Sequence, residues 1–253
     1  MSIVSTSRKY HKWLMLFLGV QFVIWTISGA YMVIFDIDYI HGDTLVVNHQ
    51  TKIDANNVSY PLAKLYQRYP DAKNIEVVVF IDQVVYRFEQ ESKENKEDKK
   101  NKTKQKYIVN ASTGETLSPI NEKQAVKAAK HYYTGAGEVI DVTLITENPP
   151  FELSARALPA WRVNFKDFGS PSIYVSAQTG RLVTKRHEFW RTFDLMFSLH
   201  VMDYEDEDPS NQLLFWFTLF SIIAAIFGAI LSYFVIFKST ASKPLKVNSR
   251  GAK

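Results

Sequence analysis

The residues of this sequence best able to bind a metal ion are its six histidines, because the chain contains no cysteine. Without thiols it can form no disulfide, thiolate zinc site, iron–sulfur cluster or covalent c-type haem attachment. An imidazole nitrogen can still ligate a transition metal, donate a hydrogen bond or carry a proton. His49, His131 and His187 lie among ordinary polar neighbours, so we expect a surface or hydrogen-bonding role for each of them.

His200 differs from those three because it extends an apolar helical face. Apolar side chains recur at helical spacing before it, and they are Phe189, Phe193, Met196 and Phe197. With Trp190 beside this face, the pattern predicts an amphipathic helix at a membrane interface over residues 188–204. An ionisable residue on the membrane-facing side indicates a functional site. The alternative is a histidine hydrogen-bonded to a lipid headgroup or to a backbone carbonyl.

His11 and His41 lie at the two ends of a long apolar run. His11 stands beside Lys12 and Trp13, so it is either an interfacial anchor of the same kind or a ligand. His41 follows the run and lies close in sequence to Asp38 and Asp43. Its role is open between structure and function.

Two apolar runs predict the transmembrane helices that position these histidines. Residues 13–35 and 213–237 carry no charge, and each run is long enough to cross a hydrocarbon core of about 30 Å at about 1.5 Å per residue. The first run is too long for a cleaved signal peptide, and no small-x-small cleavage site precedes a polar region. We therefore expect two spans, with residues 1–12 and 238–253 as short tails.

The charges that flank the runs predict the orientation. Basic residues occupy both tails, and they are Arg8, Lys9, Lys12, Lys238, Lys243, Lys246, Arg250 and Lys253. Acidic residues follow the first run and precede the second. Because basic segments remain in the cytoplasm, both termini are expected to be cytoplasmic and the intervening domain extracytoplasmic.

Small residues in the second run predict a helix-packing face. Ala224, Gly228 and Ser232 are spaced by four, which lets helix backbones approach closely. The face would pack against the chain's own first span or against a second copy. Because two spans alone make a thin structure, we favour a homodimer with four membrane helices.

The chain between the spans predicts two similar α+β units. Residues 36–120 and residues 121–187 each contain a helix, short strands and a Thr-Gly turn. Gly114 and Gly180 would supply the positive φ that a tight hairpin turn requires. The charged segment 91–106 cannot bury apolar surface, so we expect a solvated hairpin extension or a disordered loop there. The predicted fold is α+β, with two transmembrane helices flanking an extracytoplasmic domain of two tandem units.

A helix followed by a small antiparallel sheet with a Thr-Gly hairpin resembles the PepSY domain. The whole layout resembles the PepSY-associated transmembrane family, in which a basic segment with Leu/Tyr-His-x-Trp-Leu leads into the first span. Residues 10–14 here read Tyr-His-Lys-Trp-Leu, and Leu199 with His200 forms the Leu-His pair that precedes a later span. The short form is most similar to the VciB-type ferric iron reductases. The chain departs from the larger members of the family in having only two spans.

That resemblance implies a b-type haem held by histidine pairs in a bacterial inner membrane, with Fe³⁺ as the substrate that is reduced to Fe²⁺ for uptake. The candidate ligands are His200, His41 and His11. Since His11 lies about 36 Å from the outer end of its span, it cannot share an iron with His200. The remaining pairs are His200 with a second copy's His200, His200 with His41, and His11 with a second copy's His11. We favour the first, with one haem at the dimer axis, because ferric iron arrives from outside.

Carboxylates near these histidines are candidate ligands for the incoming iron, because Fe³⁺ is a hard cation that prefers oxygen. The candidates are Asp203, Glu205, Asp206, Asp38 and Asp43. The alternative for each of them is an acidic flank that serves topology and solubility.

The electron donor must be a separate molecule, because the predicted tails are too short for a flavin or nicotinamide domain and no G-x-G-x-x-G follows a strand. A cytoplasmic flavin reductase and the quinone pool remain open, and a ferrous iron transporter would take the product. The main alternative function is a membrane-tethered PepSY binding module, a peptidase inhibitor or assembly partner without a cofactor. A third is a scaffold subunit of a transporter or respiratory complex. The sequence carries no nucleic-acid-binding pattern.

Overall fold

The computed structural model describes residues 3–47, 52–91, 104–204 and 211–238. The chain divides into two compact units. The helical unit consists of Met1–Phe35 with Phe193–Lys253, and the sheet unit consists of Asp36–Thr192. The two predicted membrane segments therefore fall in one unit and the predicted loop domain in the other.

The secondary structure alternates helices with short antiparallel strands. The helices are α1 (Ile3–Ile34), α2 (Ile37–Ile40), α3 (Leu62–Arg68), α4 (Glu122–Tyr132), α5 (Glu188–Val201) and α6 (Gln212–Tyr233). The strands are β1 (Lys73–Phe80), β2 (Gln83–Glu91), β3 (Lys104–Asn110), β4 (Glu138–Ile145), β5 (Ala160–Lys166), β6 (Ser172–Ser176) and β7 (Leu182–Arg186). A π-turn over Phe234–Lys238 continues α6.

Two helices are long and apolar enough to cross a membrane. They are α1, with 32 residues, and α6 with most of its π-turn, which together span 26 residues. Helix α1 begins well before the predicted span because no proline or glycine interrupts the chain between Ile3 and Lys12. The predicted spans 13–35 and 213–237 are thus the apolar parts of two slightly longer helical segments.

Helices α1 and α6 pack antiparallel in the helical unit. Four ring pairs join them. Tyr10–Phe227 and Trp25–Phe217 have centroids 5.6 and 5.4 Å apart, and Phe17 lies 6.2 Å from both Phe217 and Phe220. Ala224 is buried, and Gly228 lies directly beneath the ring of His11. Small residues at these positions let the two backbones approach. Of the two partners expected for the small-residue face, the chain's own first helix is the one that Ala224 and Gly228 contact.

The sheet unit contains two antiparallel sheets, in the orders β1-β2-β3 and β4-β5-β6-β7. Helix α3 covers one face of the first sheet, where Leu65 is fully buried. The other face, with Phe80, Val85 and Ile108, shares a hydrophobic core with α4 and the second sheet. Ile120 lies in that core. The predicted division between residues 120 and 121 therefore runs through one continuous core.

The glycines of the two Thr-Gly turns have the predicted positive φ, +77° at Gly114 and +62° at Gly180. Packing restricts these positions as well. A Cβ added to Gly114 would collide with the ring of Tyr60, and one added to Gly180 would collide with the ring of Phe80. Backbone conformation and close packing together require glycine at both positions.

The turn between β1 and β2 lies one residue earlier than its polar sequence suggests. The polar pair Asp82 and Gln83, between two apolar runs, predicts a turn at those two residues. In the structure Phe80 pairs with Gln83, so Ile81 and Asp82 are the turn residues. Ile81 has a φ of +58°, which is unfavourable for a β-branched side chain. Its side chain packs against the core that the two sheets share, which offsets this cost.

Both ends of the charged segment 91–106 belong to strands, since β2 ends at Glu91 and β3 begins at Lys104. The predicted extension or loop is thus shorter than 91–106, and β2 and β3 pair antiparallel on either side of it. Residues 92–103, which carry most of its charge, lie outside the described part of the chain.

Candidate functional site

His200, near the end of α5, is held by a hydrogen bond to α1. Its Nδ1 lies 2.9 Å from Ser28 Oγ. Ser28 Oγ also lies 2.8 Å from the Ile24 carbonyl, and its single proton can be given to either acceptor. When Ser28 donates to Ile24, His200 Nδ1–H donates to Ser28 Oγ. In the neutral ring, Nε2 then keeps an unprotonated lone pair.

The polar side chains of α1 fix the end of α5. Trp25 Nε1 donates to the His200 carbonyl at 2.7 Å, and Gln21 Nε2 donates to the Leu199 carbonyl at 3.3 Å. The ring of His200 lies over Gly29, where an added Cβ would come within 3.5 Å of His200 Cε1. These contacts satisfy carbonyls that a helix end otherwise leaves without donors, and they restrict the orientation of the imidazole.

His11 has the same hydrogen-bonding pattern at the other end of the helix pair. Its Nδ1 lies 3.0 Å from the carbonyl oxygen of Ala224 in α6. A carbonyl only accepts, so Nδ1 carries the proton and Nε2 has the free lone pair in the neutral ring. An added Cβ on Gly228 would lie 2.9 Å from His11 Cε1, so glycine leaves the space that the ring occupies.

Both imidazoles have the arrangement of a metal-ligating histidine, which donates one ring N–H to a second group and binds metal through the other nitrogen. With one ring N–H bonded to a second group and the other nitrogen free, each of them could serve as a histidine ligand of a b-type haem. Their contacts on α1 are far apart, because His11 and Ser28 are separated by about 26 Å of helix. One iron therefore cannot be bound by His11 and His200 of a single chain.

The predicted residues on the sheet unit do not form a metal-binding cluster within the described residues. His41 is exposed and caps α2 through its backbone. Asp43 accepts a hydrogen bond from Lys185 Nζ at 2.6 Å, and this bond and the lysine charge lower the pKa of that carboxyl. Asp38 is exposed as well.

The other predicted iron ligands lie around the end of α5. Asp203 is exposed, and its backbone N–H donates to the Ser198 carbonyl at 3.1 Å to close the helix. Glu205 and Asp206 lie outside the described residues, as does His49. Iron binding by these carboxylates stays a prediction.

His187 is more buried than its polar neighbours suggested, with 2% of its surface exposed. Its Nε2 lies 2.9 Å from the carbonyl oxygen of Tyr39, and the rings of Tyr39 and Phe189 pack beside it. It therefore has the hydrogen-bonding role that was one of the two expected for it. Burial lowers the pKa of His187, because the charged ring loses its hydration.

We expect this burial to make the sheet unit sensitive to acid. The unfolded chain takes up a proton at His187 near pH 6.5, whereas the folded chain does so at lower pH, so stability is lost as the pH falls below about 6.5. The slope of melting temperature against pH, measured on the full-length protein in detergent between pH 7.5 and 5.5, reports this loss. His187→Gln keeps a donor to Tyr39 without the titration and should flatten the slope, while His131→Gln should not. Equal slopes in wild type and His187→Gln would contradict the assignment.

Comparison with known proteins identifies one domain. Residues 119–186 match the PepSY family model, described as the peptidase propeptide and YPEB domain. The match covers α4 and the four-stranded sheet, which form the second of the two predicted units. No curated protein and no solved structure matches the chain. The chain thus carries a PepSY domain together with two helices that could span a membrane.

Proposed function

We propose that this protein is a haem-dependent ferric iron reductase of a bacterial inner membrane. The observation that carries the proposal is the contact between His200 Nδ1 and Ser28 Oγ, because Nε2 is free to bind metal when Nδ1 carries the proton. His200 lies in an apolar helical unit, which is where a b-type haem finds a water-poor slot. In this proposal both termini are cytoplasmic and the PepSY domain faces the periplasm.

The second axial ligand would come from a second copy of the chain. Two helices cannot enclose a porphyrin, and the His200 ring is only partly buried in one chain. A dimer would bring a second His200 to the same iron and close the apolar slot around it. His41 or a pair of His11 residues are the other ligand sets in the proposal.

The residues of the chain would have distinct roles in this reaction. A bound b-type haem supplies one-electron chemistry, so that Fe³⁺ gains one electron and leaves as Fe²⁺. Ser28 keeps the proton of His200 on Nδ1, while Trp25 and Gln21 hold the end of α5 in place. Electrons would come from a separate cytoplasmic flavin reductase or from quinol, and a separate transporter would take up the Fe²⁺.

The test is the visible spectrum of the purified protein, followed by its reaction with a ferric chelate. The full-length protein is purified in detergent from haem-replete cells and reduced with dithionite under anaerobic conditions. We expect a Soret band with sharp α and β bands, and reoxidation of the protein on mixing with a ferric chelate. A ferrous-specific chromophore should then detect one Fe²⁺ for each haem oxidised. A colourless protein, or a reduced protein that ferric chelates do not reoxidise, would refute the proposal.

The second candidate is a membrane-tethered PepSY binding module without a cofactor, an inhibitor or assembly partner of a peptidase. The match of residues 119–186 to the peptidase propeptide and YPEB model favours it. It predicts a colourless protein that slows a co-expressed extracytoplasmic peptidase. The colour of the purified protein therefore separates the two candidates.

A further inference from the structure

Two arginines without carboxylate partners lie where the two sheets of the sheet unit meet. Arg87 is in β2 and Arg181 comes just before β7. Neither forms an ion pair within the described residues. Arg87 Nε is buried without a hydrogen-bond partner, and Arg87 Nη2 makes only a long contact of 3.5 Å with the Thr179 carbonyl. A buried N–H left in this way costs free energy that a fitting acceptor would recover.

The two guanidinium groups also repel each other. Burial and the charge of Arg181 lower the pKa of Arg87, and the opposing interactions with Tyr132 and Glu76 only partly offset them. Glu76 lies opposite Arg87 on β1, yet it makes no ion pair with that arginine. Like charges held together in a folded protein without an ion-paired carboxylate are typical of a site whose counter-charge is a ligand.

Open space borders both arginines. A cavity of about 730 Å³ lies between the edge strands β1 and β7, and a smaller one of about 200 Å³ adjoins it. Both cavities are lined by Arg87 and Arg181. The larger one is walled by apolar side chains of β1 and by Leu182 and Lys185 of β7. Its size is in the range of small-molecule sites, about 300–1,000 Å³.

Cations outnumber carboxylates in this space, although the 200 Å³ cavity also borders Glu76 and Glu89. The 730 Å³ cavity is lined by three cations, Arg87, Arg181 and Lys185, and by one carboxylate, Asp43, which is already bonded to Lys185. A third cavity of about 1,050 Å³, also bordered by Arg181, adds two cations and one carboxylate, Lys106, Arg156 and Glu89. We call this region, with Arg87 and Arg181 at its centre, the cationic seam.

We propose that the cationic seam binds a small anion with several carboxylates. A carboxylate accepts two parallel hydrogen bonds from one guanidinium. Because these two N–H donors have a fixed planar arrangement, arginine favours a carboxylate over a spherical anion. Two carboxylates of one ligand would each receive a fork, from Arg87 and from Arg181. The apolar wall of β1 would cover the carbon skeleton between them.

Citrate has this chemistry, both as the free anion and as its ferric chelate. If the protein is a ferric reductase, the seam is where a carboxylate chelate of Fe³⁺ would be retained on the extracytoplasmic side. The retention of a ferric chelate rests on the proposed function, whereas the binding of the free anion does not.

The test is calorimetric titration of the full-length protein in detergent with citrate, at about 150 mM salt to suppress diffuse charge attraction. We expect one saturable site per chain. Arg181→Gln should weaken citrate binding about tenfold or more, as expected for a lost charge-assisted pair, and Arg87→Gln should do the same. Lys127→Gln removes the same charge from the exposed side of α4 and should leave the affinity unchanged.

Arg181 is exposed, so its replacement leaves the fold intact, which circular dichroism checks. Arg181→Lys should recover only part of the affinity, because lysine lacks the fork. The proposal fails if citrate does not saturate a site, if inorganic phosphate binds as tightly, or if Lys127→Gln weakens binding as much as Arg181→Gln. Because the titration needs no haem and no reductant, its failure leaves the reductase proposal standing, and a colourless protein that binds citrate would refute only the latter.

Discussion

Purified His200→Ala protein is expected to lose the haem absorbance that the wild type shows. The variant removes the side chain of α5 whose Nδ1 contacts Ser28 and whose Nε2 is the proposed ligand atom. In the proposed dimer it removes both axial ligands at once, so the loss should be nearly complete. Haem content per chain, measured as the pyridine haemochrome, gives the result. His131→Ala, which lies in the sheet unit, is the matched control and should keep its haem.

Two further substitutions decide the ligand set. If His11 ligates, His11→Ala loses the absorbance and His200→Ala keeps it. If His41 pairs with His200, His41→Ala loses it as well. If His200→Ala and His11→Ala both keep the haem absorbance, the argument from the geometry of their ring nitrogens is wrong.

Ser28 provides a subtler test of the same geometry, because its replacement keeps the His200 ligand and weakens haem binding only in part. Ser28→Ala leaves His200 Nδ1–H without its acceptor, and a bonded N–H makes the opposite nitrogen a stronger donor to metal. We therefore expect about 10- to 100-fold weaker haem retention and a more positive midpoint potential, because the oxidised iron loses donor strength. Thr26→Ala is the control, since Thr26 Oγ1 also bonds back to its own helix, at 2.8 Å from the Phe22 carbonyl, but does not touch His200.

The features that were predictable from the sequence are those that local spacing determines. Uninterrupted apolar runs gave α1 and α6, and the helical spacing before His200 gave α5, which ends at Val201. The Thr-Gly pairs gave the turns at Gly114 and Gly180, because only a residue without Cβ tolerates their backbone and their packing. Each of these was predictable from a continuous stretch of sequence, whereas the packing of Gly114 and Gly180 against Tyr60 and Phe80 was not.

The features that the sequence did not reveal are pairings between distant residues. Ser28 was an unremarkable polar residue of an apolar run until the fold placed it beside His200, which lies 172 positions away. The burial of His187 depends on Tyr39, 148 positions away. No periodicity indicates which distant polar groups will meet. The turn at Ile81 was misplaced for a related reason, since tertiary packing overrides the local preference against a positive φ there.

A buried ion pair between α5 and the connection from β4 to β5 is such a pairing, and its disruption should destabilise the sheet unit strongly. Glu152 is 5% exposed. Its two oxygens accept hydrogen bonds from Arg191 Nε at 2.7 Å and Nη2 at 3.0 Å, and it also accepts one from the hydroxyl of Tyr174. Arg191 Nη2 further donates to Ser172 Oγ at 2.9 Å. Arg191→Ala would leave a buried carboxylate without its counter-charge.

We expect Arg191→Ala to lower the free energy of unfolding of the full-length protein in detergent by about 3–5 kcal/mol, the usual effect of removing one partner of a buried pair. Glu188→Ala breaks a contact that the same arginine makes at 2.9 Å, but with an exposed partner, and should cost about 1 kcal/mol or less. The double variant Glu152→Leu/Arg191→Met should recover much of the loss, because it removes both charges together. If it is no more stable than Arg191→Ala, the unpaired carboxylate is not the cause.

The contribution of Glu152 to stability should change with pH in opposite directions in the wild type and in Arg191→Ala. In the wild type, burial raises the pKa of Glu152, but the bonds from Arg191 and Tyr174 outweigh it and the pKa is lowered, so the pair stabilises the fold above about pH 4.5 and the effect is lost on acidification. Without Arg191, burial dominates, the folded pKa rises above that of the unfolded chain, and acid stabilises the variant instead. The gap in melting temperature between wild type and Arg191→Ala should therefore narrow as the pH falls from 7 towards about 4.5. A gap that stays constant would mean that Arg191 acts through its packing and its bond to Ser172 rather than through its charge.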